Sequence, residues 1–246
     1  MSVSFDWNLS VLRQLLRNRP NVLHVSSPGF YVLGAVVWAR CLQIPLLLSY
    51  HTHLPVYVRS YLPFGGIAER VTWWLIRLLH SLADVTVVTS TVIEEEFRCH
   101  GVPRVHVWPK GVDTQRFHPR FQSATMRERL TGGHPEACLI LYVGRIAKEK
   151  RLDDLGAIMD RLPSHFRVAL VGKGPYEESL RERFADSDRV VFMGPLYGDD
   201  LSAAYASADV FCFTSDSETL GFVAMEAMAS GISVVAARAG GIPDMI

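Results

Sequence analysis

The chain of 246 residues has no excess of charge of either sign, since 25 lysines and arginines stand against 25 aspartates and glutamates. No long-range field therefore recruits nucleic acid, and none is expected as a partner. Cysteine is scarce: Cys41, Cys99, Cys138 and Cys212 show no C-x-x-C spacing and read as small core residues of a reducing compartment, not as a disulfide framework. A long apolar run is lacking too. The most apolar stretch, FYVLGAVVWARCLQIPLLLSY at 30–50, is broken by Arg40, Gln43 and Pro45 and falls short of the ~20 apolar residues that a spanning helix needs. The N-terminus shows neither a secretory h-region nor an Arg/Ser-rich transit stretch. There is no internal repeat and no low-complexity segment.

What the sequence does have is alternation, and at 49% hydrophobic residues it has ample material for a core. Short β-rich runs alternate with helical patterns from end to end, the form taken by parallel sheets with helices on both faces. The pattern predicts strands over 21–25, 45–50, 85–89 and 105–108, then a second set over 138–143, 166–171, 189–193, 209–213 and 232–237. Between the sets, residues 110–137 combine turn formers and scattered charge with no sustained apolar period. The chain thus reads as an α/β protein of two domains, 1–115 and 116–246. Thr91 with Glu94 makes an expected capping box, Pro175 suits a first helical turn, and Asp199 suits a cap. A helix is predicted over 69–84, with Arg70, Trp74, Arg77 and Ser81 on one stripe. The preceding LPVYVRSYLPFGG, 54–66, reads as a loop carrying Leu54, Tyr57, Tyr61, Leu62 and Phe64, either folded onto the domain or set at a membrane interface.

Several short stretches carry chemistry. In YVGRIAKEKRL, Gly144, Arg145 and Lys150 stand at or just past a strand's C-terminal end, where ligands bind in open α/β sheets. An arginine offers a planar fork and a lysine a mobile point charge, so the pair suits a diphosphate; a solvated basic loop is the plain alternative. VGKGPYEESL turns at Gly172 without the third glycine of a dinucleotide fingerprint and reads as a tight βα turn bordering the same crevice. SDSETLGFVAMEAMASG puts Glu218 in a loop and Glu226 in a helix that begins near Leu220 and Gly221 and is stopped by Gly231. Amides from Thr219 through Leu220 and Gly221 to Phe222 make an anion site at that helix start. Two carboxylates flanking an anion site are acceptors for hydroxyl pairs, which suits a nucleotide sugar. The plain alternative is a dipole-favoured Glu218 and a surface Glu226. His51 and His53 follow an apolar strand. A metal pair would lack a third ligand at recognisable spacing, whereas His51 is well placed as a polar contact to a reacting sugar. Asp186-Ser-Asp188 falls in a helix-to-strand connection and reads as a solvated turn.

The spacing Glu218-x7-Glu226, the run Gly144-Arg145-x4-Lys150, the hinge-like KGVDTQRFHP and ASADVF before the acidic loop resemble the retaining glycosyltransferases of family four. That resemblance implies the GT-B fold, two Rossmann-like domains facing a cleft, with an acceptor-side domain first and a nucleotide-sugar domain second. It further implies that the first strands, a glycine-rich loop and the closing C-terminal helices lie outside this chain. By resemblance, Arg145 and Lys150 hold the diphosphate, Glu226 the ribose hydroxyls and Glu218 the transferred sugar. Backbone at Thr219 to Gly221 completes the phosphate site, and His51 sits beside the reacting carbon. The expected partners are a UDP-sugar donor and diacylglycerol or another lipid acceptor. Sulfoquinovose is the first choice of sugar, at a membrane touched peripherally, that of the chloroplast if the source is a photosynthetic eukaryote and otherwise the cytoplasmic face of a membrane. No cofactor and no metal are expected, because cationic groups and a helix start stabilise the leaving group. Other readings are a glucosyl- or mannosyl-lipid transferase, a catalytically silent UDP-sugar binder, or a UDP-sugar epimerase of the same architecture.

Overall fold

The computed structural model describes residues 10–29, 31–62, 64–108, 110–215, 218 and 221–246. Two compact units divide between Lys110 and Gly111. In the first, α1 (Ser10–Arg17) precedes β1 (Leu23–Ser27), α2 (Tyr31–Leu42), β2 (Leu46–Tyr50), α3 (Leu54–Tyr61), α4 (Gly65–Ser81), β3 (Val85–Val88), α5 (Thr91–Cys99) and β4 (Val105–Val107). The four strands lie parallel in the order β1-β2-β3-β4. Leu46, Leu48 and Tyr50 on one face of the inner strand β2 are buried, and on the other Ser49 is buried and Leu47 half-buried, as a strand covered on both faces requires.

The second unit begins with a connector, then α6 (Ala124–Leu130), β5 (Cys138–Val143), α7 (Asp153–Met159), β6 (Phe166–Val171), α8 (Glu177–Arg183) and β7 (Val190–Gly194). It continues through α9 (Gly198–Ala206), β8 (Val210–Phe213), α10 (Phe222–Ala229) and β9 (Ser233–Ala236). Its parallel sheet runs β7-β6-β5-β8-β9. Leu139, Leu141, Val168, Leu170, Phe211 and Phe213 fill its core. The strand order reverses between β5 and β8, and a crevice opens at the carboxyl ends of strands flanking such a reversal. The chain therefore folds as an α/β protein with two Rossmann-like units.

All nine expected strands form, but six local expectations need correction. Cys41 and Cys99 are exposed and Cys138 is half-buried, so only Cys212 is a core residue. Pro175 stands before Tyr176, the N-cap of α8, in the turn that leads into the helix and not in its first turn. Leu54–Tyr61 is not a loop but α3, which has Pro55 in its first turn, and α4 starts at Gly65, ahead of residue 69. The connector holds a helix of its own, α6, capped by the Ser123 hydroxyl, which accepts from the Met126 amide at 3.2 Å. Only Met126 and Leu130, four residues apart, are buried along it, too short a pattern to register as a period. The cap of α5 is Ser90, whose hydroxyl accepts from the Ile93 amide, and Glu94 instead pairs with Arg98 at 2.6 Å. Asp199 lies inside the first turn of α9, after Tyr197 at the N-cap, and favours the helix through its dipole.

Candidate functional site

In the second unit, beside the β5/β8 reversal, two turns at the carboxyl ends of β5 and β6 press backbone to backbone. Gly144 ends β5 at φ 155° and Gly172 ends β6 at φ 137°, and a Cβ on Gly172 would collide with the Gly144 carbonyl. The Ile146 amide donates to the Lys173 carbonyl at 3.1 Å, and the Tyr176 amide donates to the Ile146 carbonyl at 3.1 Å. The buried Tyr142 hydroxyl donates to the Arg145 carbonyl at 2.9 Å, which fixes the exit of β5. Burial, with Glu218 and Glu149 adding to it, raises the Tyr142 pKa, so this hydroxyl stays a donor.

Lys150 closes a single 3₁₀ turn, Lys148–Lys150, and its ammonium meets the Glu218 carboxylate at 2.9 Å with both side chains largely covered. The Thr214 hydroxyl donates to the Lys150 carbonyl at 2.7 Å, tying the turn to the end of β8. From the other side, the Gly241 amide donates to the Glu218 carbonyl at 2.8 Å, and a Cβ at Gly240 would collide with that same carbonyl. Glu218 is thus clamped through its backbone and paired through its side chain. Gly221 opens α10 at φ 66° with no side chain capping it, and Gly231 stops the helix at φ 80°. Two successive glycine-dependent bends bracket the helix.

Glu226 projects from the middle of α10. Its carboxylate accepts the Tyr205 hydroxyl of α9 at 2.7 Å. Burial raises the Glu226 pKa from its ordinary value, and the Tyr205 hydrogen bond and the Arg116 charge oppose that rise. The structure brings Lys150 to Glu218 and holds Glu226 on a buried tyrosine. Arg145 differs: its guanidinium is mostly exposed and reaches Glu149 only at 3.8 Å. Thr219 and Leu220 lie outside the described residues.

His51 belongs to the first unit, one residue past β2. Its ring meets the Ser49 hydroxyl at 2.9 Å, and His24 reaches the same hydroxyl at 2.8 Å. Burial, then the charges of Lys110 and His24, lower the His51 pKa, which leaves the ring neutral at neutral pH. Lys110 lies over the Trp108 ring at 3.1 Å. His53 turns elsewhere, pairing with Glu96 at 2.6 Å and meeting Trp73 edge-on. Among the described residues no group of three or more His, Cys, Asp or Glu side chains is arranged to hold a metal ion. Asp188 of the Asp-Ser-Asp stretch pairs with the buried Arg167 at 3.1 Å, before β7 and away from the strand ends that bear the site.

Sequence reasoning missed Tyr142, Tyr205, Thr214, Gly240 and Gly241 in this site, and Ser49 and His24 beside His51. The Gly-Gly pair was the one available signal, since adjacent glycines mark a close backbone approach. The tyrosines gave none, because one buried aromatic in a strand or helix looks like any other core residue.

Two family models match consecutive parts of the chain, Glycosyltransferase Family 4 over residues 2–116 and Glycosyl transferases group 1 over residues 137–246. The chain belongs to these glycosyltransferases, with a match to each of the two family models. Among its relatives is a sulfoquinovosyl transferase, SQD2, of Arabidopsis thaliana, 47% identical over 96% of this chain and 46% of the relative. A GDP-mannose-dependent alpha-mannosyltransferase of Mycobacterium tuberculosis is 38% identical over 96% of this chain and 60% of the relative. The chain thus spans about half the length of the curated relatives it matches. Among solved structures, Anabaena HepE in complex with UDP and glucose superposes with a TM-score of 0.75 at 19% identity, covering 96% of this chain and 64% of that one. Sucrose-phosphate synthase from Thermosynechococcus elongatus gives 0.74 at 25% identity, over 95% and 60%.

Proposed function

We propose that this chain forms the donor site and part of the acceptor side of a retaining glycosyltransferase that moves sulfoquinovose from UDP to diacylglycerol. The observation that carries the reading is the meeting of Lys150 and Glu218 at the glycine-opened start of α10, with Glu226 held on the same helix. In this reading Lys150 leaves Glu218 for the donor diphosphate, and the exposed Arg145 joins it there. Their charge stabilises the UDP leaving group, so the step calls for no metal. Released from its ion pair, Glu218 accepts hydroxyls of the transferred sugar, and Glu226 accepts those of the ribose. His51, neutral and oriented through Ser49, contacts the reacting sugar. The acceptor hydroxyl attacks the anomeric carbon from the face that UDP leaves; the bond from that carbon to the phosphate oxygen breaks, the hydroxyl proton passes to a donor phosphate oxygen, and the anomeric configuration is retained.

The sugar and acceptor are inferred from the likeness to the Arabidopsis sulfoquinovosyl transferase. The mannosyltransferase relatives favour a second reading, a mannosyl- or glucosyl-lipid synthase on the same scaffold. UDP release measured with UDP-sulfoquinovose, UDP-glucose and GDP-mannose, each with diacylglycerol, separates the two. Turnover with UDP-sulfoquinovose is expected; turnover with GDP-mannose or UDP-glucose alone refutes the sulfolipid reading. UDP binding without turnover of any donor identifies a silent binder.

A further inference from the structure

The helix α4 has two apolar faces, and only one of them is used. Thr72, Trp73, Ile76 and His80 point into the first unit, with Trp73 stacked on His100 at 3.8 Å. On the opposite face Ile67, Val71, Trp74, Leu75 and Leu78 are exposed, Trp74 by 61%. Their spacing of three and four residues makes one continuous stripe along the helix. A soluble surface scatters such residues singly, so a stripe of this length calls for a partner.

Its margins indicate which partner. Arg70 and Arg77 are exposed, lie seven residues apart and share one flank of the stripe. At the N-terminal end of α4 a groove of about 700 Å³ opens beside Phe64, which is 82% exposed. Arg59 and Arg70 border this groove, and Glu69 is the one acid among its lining residues. Glu69 is engaged by Arg59 at 3.5 Å, and among the described residues no acid pairs with Arg70 or Arg77, which stand as positive charge beside the stripe. An apolar face bearing an aromatic and flanked by cations is the chemistry of a helix lying in a lipid interface. A second protein chain would need complementary acids and a shape to match; a bilayer supplies anionic headgroups above acyl chains with no such demand.

We propose that the outer face of α4 and the groove at its start dock the protein on an anionic phospholipid bilayer, with Trp74 and Phe64 entering the headgroup boundary. For its choice of partner this rests on the lipid-acceptor reading, although vesicle binding needs neither donor nor turnover. The test is co-sedimentation of the 246-residue chain with vesicles of phosphatidylcholine, with and without phosphatidylglycerol. Binding is expected to the anionic vesicles and to fall as salt rises. Trp74→Glu with Val71→Glu should abolish it, and Arg70→Gln and Arg77→Gln should each weaken it about fivefold. All four positions are exposed, and circular dichroism confirms that the variants fold. Binding that survives the Trp74/Val71 variant overturns the proposal. So does an absence of binding, whether the chain is monomeric or forms a concentration-dependent dimer lost in that variant. Transfer to a short-chain, soluble diacylglycerol by a chain that ignores vesicles would discard the docking face and leave the proposed function standing.

Discussion

Replacing Tyr205 by phenylalanine removes one oxygen from a fully buried ring and leaves the packing with Phe117 and Phe211 in place. What is lost is the 2.7 Å hydrogen bond to Glu226. If Glu226 receives the ribose of UDP, two effects follow. Untethered, the side chain must be ordered on binding, at a cost of up to ~1.5 kcal/mol, or about a tenfold loss of UDP affinity near neutral pH. The second effect depends on pH. Burial already raises the Glu226 pKa, and the tyrosine holds the rise in check, so Tyr205→Phe lifts it further. A protonated Glu226 is a poorer acceptor for ribose hydroxyls, so UDP binding weakens as pH falls through this pKa. In the variant that weakening begins at a higher pH than in the parent. Stability carries the corresponding sign. A carboxyl whose folded pKa lies above its unfolded value stabilises the fold at low pH, and that contribution is lost as pH rises through the folded pKa. Tyr205→Phe should therefore cost more stability at about pH 8 than at about pH 5, by up to ~1 kcal/mol, since solvent still reaches part of the half-buried carboxylate left without its donor. Isothermal titration with UDP and thermal unfolding, both across this range, read the two effects. A uniform affinity loss with no displaced pH limb would refute the reasoning. Glu226→Gln with unchanged UDP affinity would remove the ribose role itself.

Lys150→Ala should weaken UDP binding by roughly 10- to 150-fold, the equivalent of ~1.5–3 kcal/mol for one charge-assisted contact, and leave Glu218 without its 2.9 Å partner. Glu218→Gln should instead spare UDP affinity and reduce turnover; titration and UDP release distinguish the two, and equal loss of UDP in both would contradict the separate roles. Gly172→Ala forces a Cβ onto the Gly144 carbonyl at a left-handed φ of 137°, so a drop of at least ~2 kcal/mol in stability is expected from denaturant titration. His80 is buried between the Ser27 and Thr86 hydroxyls, and burial lowers its pKa to about 4. A depressed folded pKa gives stability that is whole above the unfolded value near 6.5 and is lost as pH falls through about 4. Urea titrations at about pH 7 and about pH 4 should differ by ~3 kcal/mol on this account, and NMR should find the His80 ring neutral at about pH 6.

The fold was legible because nine apolar runs bounded by turn formers leave little choice but a parallel α/β architecture. Helix ends were less so. Ser90 and Thr91 are adjacent candidates for one cap, and only the backbone angle of Ser90, extended at φ −151°, decides between them. The α3 segment shows a different limit: a proline and clustered aromatics signal a turn locally, whereas the same proline is tolerated in a first helical turn once the helix has tertiary support. In the site, the charged residues stood out because a charge in an apolar setting is costly and needs a reason. Their supports did not, because Tyr142 and Tyr205 satisfy the same burial as any core aromatic and differ only in where a single hydroxyl points. That hydroxyl direction emerges from strand register and the packing of α9 against α10, which depend on residues far apart in the chain. The helix α4 reverses the logic. Its exposed stripe looks in sequence like more core, and only the structure shows that Trp74 and Val71 face away from the interior that Trp73 and Ile76 fill. A second apolar face carries a cost in water, and its persistence beside Arg70 and Arg77 argues for a surface that is covered when the protein works.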